Sequence, residues 1–469
     1  MLRERFTGRG APVAVEAEGH PEGEPRDAST PAPAPPPPAP VLPPALAHLK
    51  EQVHRRLIDE LDQDRLAKMT AEAARVEVRQ ATADIVAGYP LQGAGELRQL
   101  LIDEVVDDVL GLGPLEPLLR DDSVSEIMVN APDQVWVERS GRLQPAAHRF
   151  RDEAHLMRVV ERIVAPLGRR VDEASPMADA RLPDGSRVNI VVPPASPSGA
   201  KITLRKFARQ RLRAADLVRL GTLSEAAEAF LHACVRAELN VLVSGGTGTG
   251  KTTLLNVLSS FIDEDERIVT IEDPLELQLQ QPHVVSLEAR PPGLEGNRQI
   301  SQRDLLRNAL RMRPDRVIVG EVRGGEAFDM LQAMNTGHDG SISTVHANTP
   351  RDAVSRVENM VLMAGLDLPD HAIREQIASA IQLIVQVTRL PDGSRRVTHI
   401  TEVAGMEGHM ITLQDLFLFE STGQDEDGRI TGALVPTGLQ PRFIDRFERT
   451  GVPFPAEALR TERVRGGNW

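Results

Sequence analysis

A chain of 469 residues is long enough for about three units of ordinary domain size, each with a buried core of its own. Its 54 Lys and Arg stand against 68 Asp and Glu, a formal net charge of -14, and only 3% of its residues are aromatic. An acidic body with few stacking platforms argues against direct nucleic-acid binding, although local basic patches stay open.

The N-terminal stretch MLRERFTGRGAPVAVEAEGH has no apolar signal-peptide core, and no apolar run approaches the ~18 residues that a membrane span needs. The expectation is a cytoplasmic protein that neither crosses a membrane nor leaves the cell by the usual route. Residues 1–44 end in PAPAPPPPAPVLPP, with nine prolines between Pro31 and Pro44. They read as a disordered Pro-rich leader, because such a composition cannot bury enough apolar surface to offset its ordering entropy. Next, Leu46, Leu49, Val53, Leu57 and Leu61 recur at three- and four-residue steps, as do Leu97, Leu101, Val105 and Val109 up to Gly111 and Pro114. These faces predict a helical arm over 45–110, either a small bundle buried within the chain or a partner-docking arm.

Over 111–220 the texture changes to short alternating runs, EIMVN, QVWVERSGRL, RVNIVVPP and KITLRKF, broken by turn signals such as LPDGS and by one helical segment, EAHLMRVVERIVAPLG. That pattern predicts an α+β domain with an antiparallel sheet. Thr222 and Glu225 have the spacing of a capping box for a helix reaching about Ala237. The single cysteine, Cys234, lies in that apolar helical run, can form no internal disulfide and reads as a buried core thiol. Between 221 and 403 the runs NVLVSG, RIVTIED, RVIVGEV and GSISTVHAN read as buried strands of an α/β domain. Thr349 and Pro350 supply an N-cap and an N1 proline for a helix ending near Gly365. Residues 404–469 read as a mixed, loop-rich extension, and no internal repeat is expected.

Chemistry concentrates in SGGTGTGKTT. Gly245, Gly246, Thr247, Gly248, Thr249, Gly250, Lys251 and Thr252 fit G-x-x-x-x-G-K-[ST], directly after an apolar strand and before the helical run that Thr253 continues. Glycines let backbone N–H groups converge on phosphate, the helix N-terminus adds partial positive charge, Lys251 reaches the outer phosphates and Thr252 can ligate Mg²⁺. Hydrolysis also needs carboxylates to handle water and metal. Glu272 and Asp273 end one apolar strand, with Glu276 a turn later, and Glu321 ends another. In a parallel sheet all would face the phosphate loop. Gly320 stands where many P-loop enzymes carry a metal-supporting Asp, so metal support falls to Glu321 or to the Glu272/Asp273 cluster.

His338 and His346 in HDGSISTVHANTP could bind metal, transfer a proton or detect a neighbour. No H-x-x-x-H or C-x-x-C accompanies them, so a zinc site lacks ligands. Phosphoryl transfer depends mainly on positioning and charge, which leaves a shuttle little to do. A near-neutral histidine can donate to a γ-phosphate oxygen and lose that contact after hydrolysis, so detection remains.

These pieces, in order, resemble the secretion and pilus-assembly ATPases of the type II/type IV superfamily, and most of all the CpaF-like ATPases of tight-adherence pili. The resemblance runs over about 46–465 through LGPLEPLLRDDSVSEIMVN, DARLPDGSRVNIVVPP, ITLRKF, GGTGTGKTTLLN, IEDPLELQL, VIVGEVRGG and TGHDGSISTVHANTP. It implies a RecA-like ATPase domain at 221–403 preceded by a smaller α+β domain at 111–220 that caps the nucleotide. A glycine before the second glutamate is normal there. Glu272 resembles the family's catalytic glutamate and Glu321 the residue holding Mg²⁺ and water, with exchange of the two roles left open. Arg181 and Arg187 resemble arginines that reach the phosphates, and Asp273, Glu276 and Arg323 resemble coupling residues. His346 is expected to face the phosphate and His338 to fix its loop. The implied function is ATP hydrolysis by a homo-hexamer, peripheral at the inner membrane, that powers pilin assembly or export through platform proteins. Alternatives are a DNA-transfer ATPase and a nucleotide-dependent scaffold with little turnover.

Overall fold

The computed structural model describes residues 42–43, 46–66, 68–91, 95–139, 141–167, 170–207, 212–290 and 299–461. The leader expected over 1–44 lies outside them apart from Leu42 and Pro43. Among the described residues no helix is long and apolar enough to cross a membrane.

Helices α1 (Ala47–Glu60), α2 (Gln63–Leu66), α3 (Ala71–Ala87) and α4 (Gly95–Leu110) come first. Val53 and Leu57 of α1, Val78 and Ile85 of α3, and Leu101 and Val105 of α4 close one apolar core, so the arm is a bundle buried within the chain. Helix α3, capped by Thr70, was not marked by the leucine spacing that flagged its neighbours. Polar groups tie the bundle onward: Lys50 lies 2.9 Å from Glu104 and 3.0 Å from Asp108, and buried Asp107 accepts from Arg75 and Arg120. Arg120 belongs to α5 (Leu115–Arg120).

A six-stranded antiparallel sheet follows, built from β1 (Val124–Ala131), β2 (Gln134–Arg139), β3 (Arg142–Pro145), β4 (Met177–Arg181), β5 (Arg187–Val191) and β6 (Lys201–Arg205), in the order β3-β2-β1-β6-β5-β4. Alternation decides its faces. Ile127, Val129, Val188, Ile190, Ile202 and Leu204 pack on α5 and α6 (Glu153–Val164), while Glu126, Glu138, Arg187 and Arg205 are left on the other side, lining a cleft.

Helices α7 (Ala214–Arg219) and α8 (Glu225–Arg236) lead into a nine-stranded sheet. Ser224 caps α8 by accepting from the Ala227 N–H, so the expected Thr222/Glu225 capping box gives way to a serine adjacent to the helix. Strand β7 (Val241–Gly245) runs into α9 (Lys251–Ser259); β8 (Ile268–Glu272), β9 (Val284–Glu288), α10 (Gln302–Ala309), β10 (Arg316–Val322), α11 (Glu326–Asn335), β11 (Ile342–Val345), α12 (Pro350–Met363), α13 (Asp370–Ala380) and β12 (Leu383–Arg389) follow. Thr349 caps α12 through the Asp352 N–H, with Pro350 at the first position as expected. With β13 (Arg395–Glu407), β14 (Met410–Gln424) and β15 (Ile430–Pro436), the sheet order is β15-β14-β13-β12-β7-β11-β10-β8-β9. From β12 to β9 the pairing is parallel. Val241 and Val243 face one apolar core with α8 and α9, and Leu242 faces a second with α11 and α12. Both faces are covered, which is why these strands read as continuous apolar runs. Cys234 is fully buried there.

The loop-rich extension expected after residue 403 carries long strands. Strands β13 (Arg395–Glu407), β14 (Met410–Gln424) and β15 (Ile430–Pro436) add antiparallel to β12, and α14 (Ile444–Thr450) packs Phe447 into the first core. The expected boundary at 403/404 therefore falls inside a strand. The half-polar alternation of a one-sided antiparallel extension hid it.

Candidate nucleotide site

Strand β7 delivers the loop 245–252 to the carboxyl end of the sheet. A Cβ on Gly245 would come within 2.5 Å of the Val387 carbonyl, and Gly248 and Gly250 have φ of +71° and +100°. Both features demand glycine for backbone reasons. Lys251 Nζ donates to the Gly245 and Gly246 carbonyls at 3.0 Å each and stands 4.0 Å from Glu321. Burial lowers its pKa, and Glu321 opposes the shift. The Thr252 hydroxyl donates to Glu276 at 3.2 Å, and Arg187 Nη1 bonds the other oxygen of that carboxylate. Arg187 thus reaches the acidic segment from the small sheet. Arg181 instead pairs with Glu288 at 3.4 Å, on the edge strand β9.

The two strand-end glutamates differ. Glu272 is 2% exposed, and its Oε2 accepts the Glu276 and Leu277 N–H groups at 2.6 and 2.7 Å while Thr270 bonds Oε1 at 3.1 Å. Burial raises its pKa, and the amide bonds counter that. A Cβ on Gly320 would sit 3.2 Å from Glu272 Cγ, so the glycine makes room for this carboxylate. Glu321 faces Lys251 and holds Arg323 at 2.6 Å. Burial alone would lower the Arg323 pKa, but that carboxylate raises it. Asp273 contributes its carbonyl, which accepts from Arg187 at 3.3 Å.

His346 follows β11, between the loop strand and the Glu321 strand; burial and the nearby Lys251 hold its pKa below 6.5. His338 precedes β11, at the opposite end of a strand about 13 Å long. The parallel direction of the sheet separates the pair, and His338 is not brought to the phosphate loop. Sequence reasoning also missed Gln386, whose side-chain amide donates to the Ala347 and Asn348 carbonyls at 3.3 and 3.0 Å and so anchors the backbone after His346. Arg205, Arg389 and Arg395 were missed too, and all three line the cleft of about 1240 Å³ that Thr247 to Gly250, Thr252 and Thr253 also line. Register was the lost signal: Arg205 pairs with Arg187, and Arg389 with Arg395.

The model for "Type II/IV secretion system protein" matches residues 108–427. This chain belongs to that family of secretion ATPases. A Mycobacterium tuberculosis protein named for conjugal transfer is 40% identical over 309 residues, 65% of this chain and 87% of its own length. The type IV secretion system protein VirB11 of Bartonella henselae is 34% identical over 343 residues, 64% of this chain and 94% of its own. The crystal structure of the VirB11 ATPase of Brucella suis, in complex with sulphate, shares 32% identity over 62% of this chain and 92% of that one, with a TM-score of 0.34; the family assignment rests on the sequence matches. The nine-stranded domain of this secretion ATPase is RecA-like, its phosphate loop leaving a central parallel strand between two layers of helices.

Proposed function

We propose that the chain is the ATP-hydrolysing subunit of a CpaF-like, tight-adherence pilus motor. It works as a homo-hexamer, peripheral at the inner membrane, and acts through platform proteins. One linkage carries this reading: Thr252, at the mouth of the phosphate loop, bonds Glu276, and Glu276 bonds Arg187 of the small sheet. Gripping nucleotide and moving one sheet against the other are then a single event, which is what a motor requires.

ATP fits the donor set. The loop amides and Lys251, exchanging its two carbonyl partners for phosphate oxygens, would hold the β- and γ-phosphates. Among the described residues no three His, Cys, Asp or Glu side chains converge as a metal cage. A hydroxyl with a neighbouring carboxylate suits Mg²⁺, which keeps waters and takes its other ligands from phosphates. Thr252 would hold it, with Glu276 or Glu321, and the ion would supply charge neutralisation to the phosphates. Glu321 orients the attacking water and takes its proton as the water oxygen bonds the γ-phosphorus and the β–γ bridging bond breaks, leaving ADP and inorganic phosphate. His346, neutral because its pKa is depressed, donates an N–H to a γ-oxygen and loses that contact when phosphate leaves.

The relative named for conjugal transfer favours a second reading, a DNA-transfer ATPase. Mass and ATP turnover of wild type and K251A, each with and without duplex DNA, decide. A hexamer whose turnover ignores DNA and falls at least about 100-fold in K251A supports the pilus motor. Strong, salt-sensitive stimulation by DNA supports transfer. No turnover in an assembled wild-type ring leaves only a nucleotide-dependent scaffold.

A further inference from the structure

The heptapeptide RLPDGSR occurs twice, at 181–187 and at 389–395, so the expectation of no internal repeat fails at this short scale. Both copies fold alike. Each joins antiparallel strands with its terminal arginines in register, Arg181 opposite Arg187 and Arg389 opposite Arg395. In each turn the glycine, φ +90° at Gly185 and +85° at Gly393, donates to the leucine carbonyl, at 2.9 and 2.8 Å. In each the aspartate accepts from the serine N–H, 2.9 Å from Asp184 and 2.9 Å from Asp392. The repeat is a small rigid mount for an arginine at its last position.

The first mount, in the small sheet, aims Arg187 at Glu276. The second rises from β12, the neighbour of β7 on the side away from β11 and β10. A Cβ built on Gly250 would lie 3.5 Å from Arg395 Cδ. Arg389 is committed, donating to the Gly141 carbonyl at 3.3 Å. The Arg395 side chain makes no hydrogen bond or ion pair among the described residues; burial in the cleft depresses its pKa, and the nearby Arg389 and Arg205 lower it further. A guanidinium held among cations, with Glu138 as the opposing charge, is disposed to receive an anion.

We propose that Arg395 binds the α-phosphate end of the nucleotide. Glu321 and His346, on β10 and β11, lie to one side of the loop strand and mark the γ-phosphate; the nucleotide must leave the loop toward the other side, where Arg395 waits. This rests on the ATPase reading. It adds a ligand present in ADP and ATP alike, which keeps the product in place while the γ-phosphate contacts are lost.

The test uses full-length wild type, R395Q and R395K, titrated with MgADP and with a non-hydrolysable MgATP analogue. Turnover kinetics and melting without nucleotide complete it. R395Q is expected to weaken both nucleotides together by about tenfold, about 1.4 kcal/mol, raising KM more than it lowers kcat. R395K recovers part of the affinity through its charge but not the two-pronged donation. Melting without nucleotide stays at the wild-type value, because Arg395 donates to no protein group. Unchanged ADP affinity in R395Q, a loss confined to the ATP analogue, or a lowered melting point in both variants with equal affinity loss would overturn the assignment. A wild type that binds neither nucleotide overturns the ATPase reading as well.

Discussion

Glu272 and Glu321 end neighbouring strands, yet their oxygens are spent differently. A raised pKa suits a general base, and burial raises that of Glu272. Both its oxygens are nevertheless occupied by two backbone N–H groups and a hydroxyl, bonds that a glutamine can largely keep. Glu321 alone of the two meets Lys251. The expected outcome is a turnover loss of at least about 100-fold in E321Q with ATP affinity kept within a few-fold, against only a few-fold loss in E272Q. Steady-state turnover with bound-nucleotide measurement checks this. Abolished turnover with retained ATP in E272Q would return the catalytic role to Glu272.

At the level of elements, β12 does three jobs. It flanks β7, carries the antiparallel extension, and ties down the segment after His346 through Gln386, which is 1% exposed. Removing that amide leaves the Ala347 and Asn348 carbonyls short of a donor. We expect Q386L to lose about 1–3 kcal/mol of stability. Its turnover should fall about tenfold while ADP affinity holds, since the loop it frees carries His346, proposed to contact the γ-phosphate. Denaturant unfolding and kinetics on one preparation test this, and unchanged turnover would remove Gln386 from the coupling path.

Across the whole molecule, the helical bundle meets the small sheet at a buried polar seam holding Lys50, Glu104, Asp108 and three histidines. Burial lowers the pKa of His54 and, against the opposing pull of Asp108, takes that of His155 to about 4; it also lowers that of His148. The unfolded chain regains values near 6.5, so below that pH it binds more protons than the fold, and stability falls as pH drops from about 6.5 toward about 4. Melting temperature followed across that interval should show this slope, and H155Q should flatten it. A pH-independent melting point, or an unchanged slope in H155Q, would mean that the seam does not carry the acid response.

Local signals made the core of this protein legible. The glycine spacing of 245–252 can satisfy only a tight, amide-lined loop, and the apolar runs around it can satisfy only a doubly covered sheet, so neither depends on distant partners. Helix α12 announced itself through Thr349 and Pro350 for the same reason. The remaining assignments depended on which strands become neighbours. Nothing in the spacing of His338 and His346 says that they lie at opposite ends of β11, nor that Glu272 folds back onto the amides of its own turn. The identical turns ending in Arg187 and Arg395 acquire different surroundings because one stands in each sheet, a difference that strand order creates and that seven shared residues cannot encode.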